Sequence, residues 1–203
     1  VDIVFFVADS HKVVFDVLGR LRLYLGERLG MIDKSKHDLL WVVDFPLFEY
    51  SAEEDRYVSV HHPFTMPAYE DLDKLETDKA NVKSIAYDIV YNGNELGGGS
   101  IRIHDPEIQE KAFKALGLSE EEIHNKFEFM INAFKYGTPP HGGIALGLDR
   151  LVALLVRANS IRDVIAFPKN AQAKCVMTQA PSEVSEEQLR DLHINLRTLP
   201  KVH

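Results

Sequence analysis

Tyr87-Asp88-Ile89-Val90-Tyr91-Asn92-Gly93-Asn94-Glu95-Leu96-Gly97-Gly98-Gly99-Ser100-Ile101-Arg102 decides the fold of this chain. Two β-prone runs, Ile85 to Tyr91 and Glu95 to Ile103, flank Asn92-Gly93. An Asn-Gly pair between such runs predicts a tight hairpin, because both residues tolerate the positive φ that a two-residue turn needs. A regular two-residue turn puts Val90 opposite Glu95 and Asp88 opposite Gly97. Alternation along the strands then brings Asp88 and Glu95 out on one face as diagonal neighbours. Two carboxylates that close repel unless a cation lies between them, and a hard ion such as Mg2+ carrying nucleotide phosphates fits. The alternative is two solvated carboxylates on an exposed hairpin. Gly97-Gly98-Gly99 lose packing in a strand, which makes sense where a ligand lies against the backbone, or in a bulged edge strand. Arg102 offers a planar fork for a carboxylate. Its separation of seven from Glu95 is odd, so the two share a face only if a bulge among the glycines shifts the phase.

Outward from the hairpin, the chain alternates short strands and amphipathic helices. The expectations are a buried strand at Ile3 to Val7, a helix from His11 to Met31, and strands at Leu39 to Val43 and Tyr57 to Val60. Asp33 to His37 reads as a polar connector and Pro67 to Lys83 as an exposed loop or short helix. A helix from Pro106 to Leu116 carries proline in its first turn. Ser119 and Glu122 form a capping box for a second, whose apolar face is Ile123, Phe127, Met130, Ile131 and Phe134. A small-residue strand at Gly142 to Leu146 leads to a helix from Leu148 to Ala158. A strand at Val164 to Phe167 and a helix opened by Ser185 and Gln188, running to about Leu196, complete the order. Hairpins without regular βαβ alternation predict an α+β architecture on an antiparallel sheet flanked by helices.

The 203 residues carry 23 Lys and Arg against 31 Asp and Glu, a formal charge of −8. With 45% hydrophobic and 27% charged residues, the composition is that of a globular protein with a core, not of a disordered chain. The acidic balance argues against bulk electrostatic binding of nucleic acid. No apolar run reaches the roughly 20 residues of a membrane span, and the first residues show no leader. One cysteine, Cys175, fits a reducing, cytoplasmic setting and reads as a buried structural thiol. The absence of an initiator Met and the strand-like start at Val1-Asp2 suggest a piece of something longer.

Two further clusters are candidates for chemistry. In His61-His62-Pro63-Phe64-Thr65 the adjacent histidines would point to opposite faces of a strand, so only one should reach a ligand. No HExxH or Cys–His array is present. Gly147-Leu148-Asp149-Arg150 sits at a strand-to-helix junction behind His141-Gly142-Gly143. Its free N–H groups suit an anion, and small residues just before it let a flat ligand approach. Arg150 has the wrong sign for a helix start, which invites a role such as stacking over a base.

Taken in order, these segments resemble the C-terminal part of a bacterial-type aspartyl-tRNA synthetase, a class II aminoacyl-tRNA synthetase. The resemblance runs through Asp44-Phe45-Pro46-Leu47-Phe48-Glu49, the His61 to Thr65 segment, the Tyr87 to Arg102 hairpin, Tyr136-Gly137-Thr138-Pro139-Pro140-His141-Gly142-Gly143 and Gly147-Leu148-Asp149-Arg150-Leu151. The last is similar to class II motif 3. The resemblance implies ATP-dependent activation of L-aspartate to aspartyl-adenylate and its transfer to tRNA. It implies that His61 and His62 contact aspartate or its adenylate, and that Arg102 holds the side-chain carboxylate. Asp88 and Glu95 would position Mg2+ and ATP, and Gly147, Leu148, Asp149 and Arg150 would line the ATP site. Arg150 and Glu95 are then the catalytic candidates. Motifs 1 and 2 and the anticodon-binding barrel are not found in these residues. The expected organisation is therefore residues 1–35 as the tail of an inserted α+β domain and residues 36–203 as the C-terminal part of the catalytic domain. Such a piece alone is expected to be inactive, and its parent a cytoplasmic homodimer. The competing readings are a lysine or asparagine enzyme of the same group, or a non-catalytic paralogue that binds nucleotide or amino acid.

Overall fold

The computed structural model describes residues Ile3 to Arg197. Val1 and Asp2, which begin the strand-like opening run of the sequence, lie outside that range. The chain divides into two compact units, the first ending at Leu146 and the second beginning at Gly147.

In the first unit, helix α1 (His11–Arg28) follows an extended segment. Strand β1 (Leu39–Val43) comes next, then a short hairpin of β2 (Phe48–Ser51) and β3 (Arg56–Ser59). A run of single turns contains helix α2 (Lys74–Thr77). The predicted hairpin follows as β4 (Ala86–Tyr91) and β5 (Asn94–Ile101), then helices α3 (Pro106–Ala115) and α4 (Glu120–Phe134), and strand β6 (Gly142–Leu146). The sheet has the order β1-β4-β5-β6 and every pairing in it is antiparallel, as the α+β reading requires.

Local chemistry explains the elements. Asn92 and Gly93 both have positive φ, 47° and 79°, the geometry of the tight hairpin turn. The Asn92 side chain also ties the turn to the approaching chain, accepting from the Asp38 amide and donating to the Lys36 carbonyl. Asp105 caps α3 through the Glu107 and Ile108 amides, with Pro106 in the first turn. The Ser119–Glu122 capping box opens α4.

The core lies in two clusters. One joins Leu47 and Phe48 to Leu75, Val82, Ala115 and Leu116. The other packs Met66 and Ile103 against Ala112 of α3. Phe64 fastens α4 to this body: its ring meets Phe127 edge-on at 5.4 Å, and Phe127 stacks on Phe113 at 5.0 Å. The apolar face expected of α4 is thus real, but its residues are half-buried.

The second unit holds α5 (Leu148–Leu155), a 3-10 turn at Ile161–Asp163 and α6 (Glu186–Asp191), whose Ser185–Gln188 capping box is present.

Several expectations are corrected. Ile3 to Val7 forms no strand, and Phe6 is 90% exposed. β-prone side chains form a strand only where a partner edge takes up the backbone hydrogen bonds. Val164 to Phe167 is likewise a series of bends. The acidic stretch after Pro67 is not simply exposed, since Leu75 and Val82 are core residues. Helix α5 ends at Leu155, where Ala158 was expected, and α6 ends at Asp191. Cys175 is half-buried; its sulfur accepts from the Thr178 amide, and bonds to Thr178 hold the thiol pKa below the usual range.

Candidate active site

The hairpin's register sets the site. Val90 pairs with Glu95, but Ile89 pairs with Gly97 and Asp88 with Gly98. Leu96 is an extra residue on β5, a bulge one position ahead of the glycines. Asp88 therefore faces Gly98, and the pairing with Gly97 expected from a regular turn is corrected. From Gly97 onward the ladder with β6 is regular through Ile101–Gly142.

Antiparallel partners point to the same face, so the bulge resets the alternation. Asp88 and Val90 share a face with Glu95. Asp88 also shares it with Gly98, and hence with Ser100 and Arg102. The odd separation of Glu95 and Arg102 is thereby compensated, and Asp88, Glu95 and Arg102 belong to one face of one hairpin. Asp88 is half-buried and Glu95 exposed. The Asp88 carboxylate lies directly over Gly98: a Cβ there would fall 3.2 Å from Asp88 Cγ and closer still to Oδ1. Gly98 thus gives that carboxylate room to lie against the strand.

Arg102 is anchored on three sides. Its amide donates to the His141 carbonyl at 2.9 Å, and its backbone bridges to Thr65. Its Nη1 donates to Ser100 Oγ at 2.7 Å and lies 3.5 Å from His62 Nδ1. His62 Nδ1 also accepts from the Phe64 amide at 3.2 Å and faces Thr65 Oγ1 at 3.3 Å. An Nδ1 that accepts from an amide marks a neutral ring with its proton on Nε2. The pKa of His62 is lowered, first by burial and then by the positive charge of Arg102 and by His61. His61 meets the Phe45 ring edge-on at 5.0 Å. Of the two histidines, then, His62 is the one beside Arg102.

Gly147, Leu148, Asp149 and Arg150 belong to the second unit. Gly147 is the N-cap of α5, and its carbonyl accepts from the Leu151 amide at 2.9 Å. All four are exposed, and no side chain caps the helix. Sequence reasoning missed Ser100 and Thr65, both buried beside Arg102. Ser100 becomes visible only when the alternation is counted from the far side of the bulge.

Among the described residues, no three His, Cys, Asp or Glu side chains gather as a metal cage. Asp88 and Glu95 supply two hard oxygen donors. That suits an ion that keeps waters and shares phosphates, as Mg2+ does, more than a cage built wholly of protein. Among the described residues no helix is long and apolar enough to cross a membrane.

The fold has a counterpart among solved structures. An aspartyl tRNA synthetase from Entamoeba histolytica superposes with a TM-score of 0.50 at 24% identity, over 84% of this chain and 29% of that one. This shows that the chain shares the fold of part of that protein. The family described as tRNA synthetases class II (D, K and N) matches residues 12–171, and the chain belongs to that family. The chain is 58% identical over 201 residues to an aspartate–tRNA(Asp/Asn) ligase of Anoxybacillus flavithermus, covering 99% of this chain and 34% of that protein. It is 60% identical over 195 residues to an aspartate–tRNA ligase of Halalkalibacterium halodurans, covering 96% and 33%. The chain therefore spans about a third of the length of these relatives.

Proposed function

We propose that these residues are the amino-acid and nucleotide half of an aspartate–tRNA ligase, which joins L-aspartate to ATP as aspartyl-adenylate and passes the aspartyl group to tRNA. The observation that carries the reading is the Arg102 fork, held by Ser100 and His62 on the hairpin face that also bears Asp88 and Glu95. A guanidinium prefers a carboxylate to the amide of asparagine and repels the ammonium of lysine. Within the family this favours aspartate.

In this reading Arg102 grips the substrate's side-chain carboxylate, and His62 and His61 border the amino acid. The α-carboxylate attacks the α-phosphorus, pyrophosphate leaves, and a tRNA hydroxyl then displaces AMP from the mixed anhydride. The protein forms no covalent bond. It aligns the two substrates and stabilises charge. Asp88 and Glu95 hold Mg2+, which neutralises phosphate charge when bound. Gly147 to Arg150 line the ATP site, with Arg150 beside adenine and phosphate. Residues 1–35 are the tail of an inserted domain and 36–203 the C-terminal part of the catalytic domain. The complete enzyme is a cytoplasmic homodimer.

The test is aspartate-dependent ATP–pyrophosphate exchange in a full-length ligase carrying this segment. Removing one partner of a desolvated charge pair costs about 3–4 kcal/mol, so Arg102→Ala should raise the aspartate KM roughly a hundredfold to a thousandfold. The KM for ATP should stay within about threefold, because that ligand is bound by other groups. Equal loss for both substrates contradicts the assignment.

A further inference from the structure

Ser100 is 1% exposed, too deep to touch a substrate. It pairs with Ala86 on β4 and Gly143 on β6, neither of which brings a polar side chain to its face. Its hydroxyl meets the Arg102 guanidinium at 2.7 Å. A buried hydroxyl needs a partner, and a charged partner gives the stronger bond. His62 Nδ1 takes the same nitrogen, Nη1, from another side at 3.5 Å. His62 is itself oriented by the Phe64 amide. With Nη1 engaged by both, a carboxylate arriving side-on meets the Nε–Nη2 edge, the geometry of a two-point contact.

We propose that Ser100 is a positioning residue for amino-acid selection. It fixes the rotation of the Arg102 fork so that the Nε–Nη2 edge meets a side-chain carboxylate in plane. This rests on the reading of Arg102 as the carboxylate-binding group. His62 supplies a second, weaker support from the loop, and Ser100 supplies the one built into the sheet. Because the hydroxyl lies on β5 two residues before Arg102, selectivity is set by the sheet itself.

The experiment is a double-mutant cycle in a full-length ligase carrying this segment, read by aspartate-dependent ATP–pyrophosphate exchange. Ser100→Ala removes one oxygen beside an alanine and a glycine and leaves the packing intact. It should raise the aspartate KM on the order of tenfold to a hundredfold, with the KM for ATP unchanged. Ser100→Cys keeps the branching of the side chain but puts a larger, poorer acceptor atom beside the fork, and should fall between serine and alanine. In an Arg102→Ala background, Ser100→Ala should add no further loss, since there is no fork left to position. Additive losses, or a parallel rise in the KM for ATP, would mean a general structural role and overturn the proposal. An unchanged aspartate KM in Ser100→Ala also overturns it. The Arg102→Ala enzyme keeps the two readings separate. If that variant retains its aspartate KM, the assignment of Arg102 fails. If it loses aspartate while Ser100→Ala does not, only the positioning role fails.

Discussion

Alanine at Gly99 and alanine at Gly98 should fail in different ways, although the residues are neighbours of one type. A Cβ at Gly99 would lie 2.8 Å from the Gly143 carbonyl carbon and 2.9 Å from Ile144 Cα, and closer still to the Gly143 oxygen. Ordinary van der Waals contact begins at 3.4 Å, so the carbon alone falls short by 0.6 Å and the oxygen by more. Both are backbone atoms of β6 in the five-pair ladder with β5. Relief requires the strands to part, which stretches the flanking hydrogen bonds. Overpacking costs about 1–3 kcal/mol, and each ladder bond lost adds about 0.5–1.5 kcal/mol. With two bonds affected, the total is roughly 2–6 kcal/mol. For a chain of this size that lowers the unfolding midpoint by roughly 4–24 °C. At Gly98 the severe obstacle is the Asp88 carboxylate, the end of a side chain that can swing away, while the Tyr87 carbonyl oxygen at 3.3 Å need yield only slightly. Gly98→Ala should therefore unfold within about 2 °C of the parent. In a full-length ligase it should demand more Mg2+ for exchange, because the displaced carboxylate is the proposed ion ligand. Thermal unfolding followed by circular dichroism compares the variants, and a Mg2+ titration of exchange completes the test. Equal destabilisation by both alanines would refute the reasoning, as would a Gly99→Ala chain as stable as the parent.

Two further predictions concern stability. Ser119→Ala removes the cap of α4, the helix that carries Phe127 to Phe64; it should cost about 1 kcal/mol, seen as a midpoint lowered by roughly 2–4 °C. Asp71 is buried, accepting from Lys74 Nζ at 2.6 Å and from the Lys83 amide at 3.0 Å, and the Lys74 bond first, then the Lys83 amide, lowers its pKa below the ordinary 3.8. A lowered folded-state pKa contributes stability above the unfolded value that is lost as the pH falls through the folded one. Asp71→Asn should therefore destabilise the chain at pH 7, with the gap narrowing below about pH 4. Unfolding midpoints at pH 7 and pH 3 measure this, and a gap independent of pH would count against it.

How much was legible in the sequence varies with the range of the interaction concerned. The β4–β5 turn, the α3 proline and both Ser capping boxes are local, and each was readable from a few adjacent residues. β2 escaped because Pro46 reads as a break. Its turn to β3 also has no glycine or asparagine; Asp55 takes the positive φ there. Ile3 to Val7 was misread because β-propensity does not say whether a neighbouring strand exists. The site was half legible. Arg102, Asp88 and Glu95 stood out by chemistry, and the phase problem between them was evident from counting. Where the bulge falls depends on pairing to β4, so neither Leu96 as the extra residue nor Ser100 as the partner of Arg102 could be read from the order of residues alone. Gly147 to Arg150 are placed at the start of a helix, as their sequence implied.

The bulge at Leu96 also makes parity a property of this segment at the level of the gene. Glu95 and Arg102 stand seven positions apart, and their agreement in direction depends on one unpaired residue between them. An in-frame loss of the Leu96 codon would remove the bulge, leave an even separation in a smooth ladder and keep the guanidinium on the side of both carboxylates. Loss of one codon between Gly97 and Ile101, with the bulge kept, would delete no charged residue and yet turn the guanidinium to the opposite side. A change in length is therefore tolerated at the bulge far more readily than in the residues that follow it.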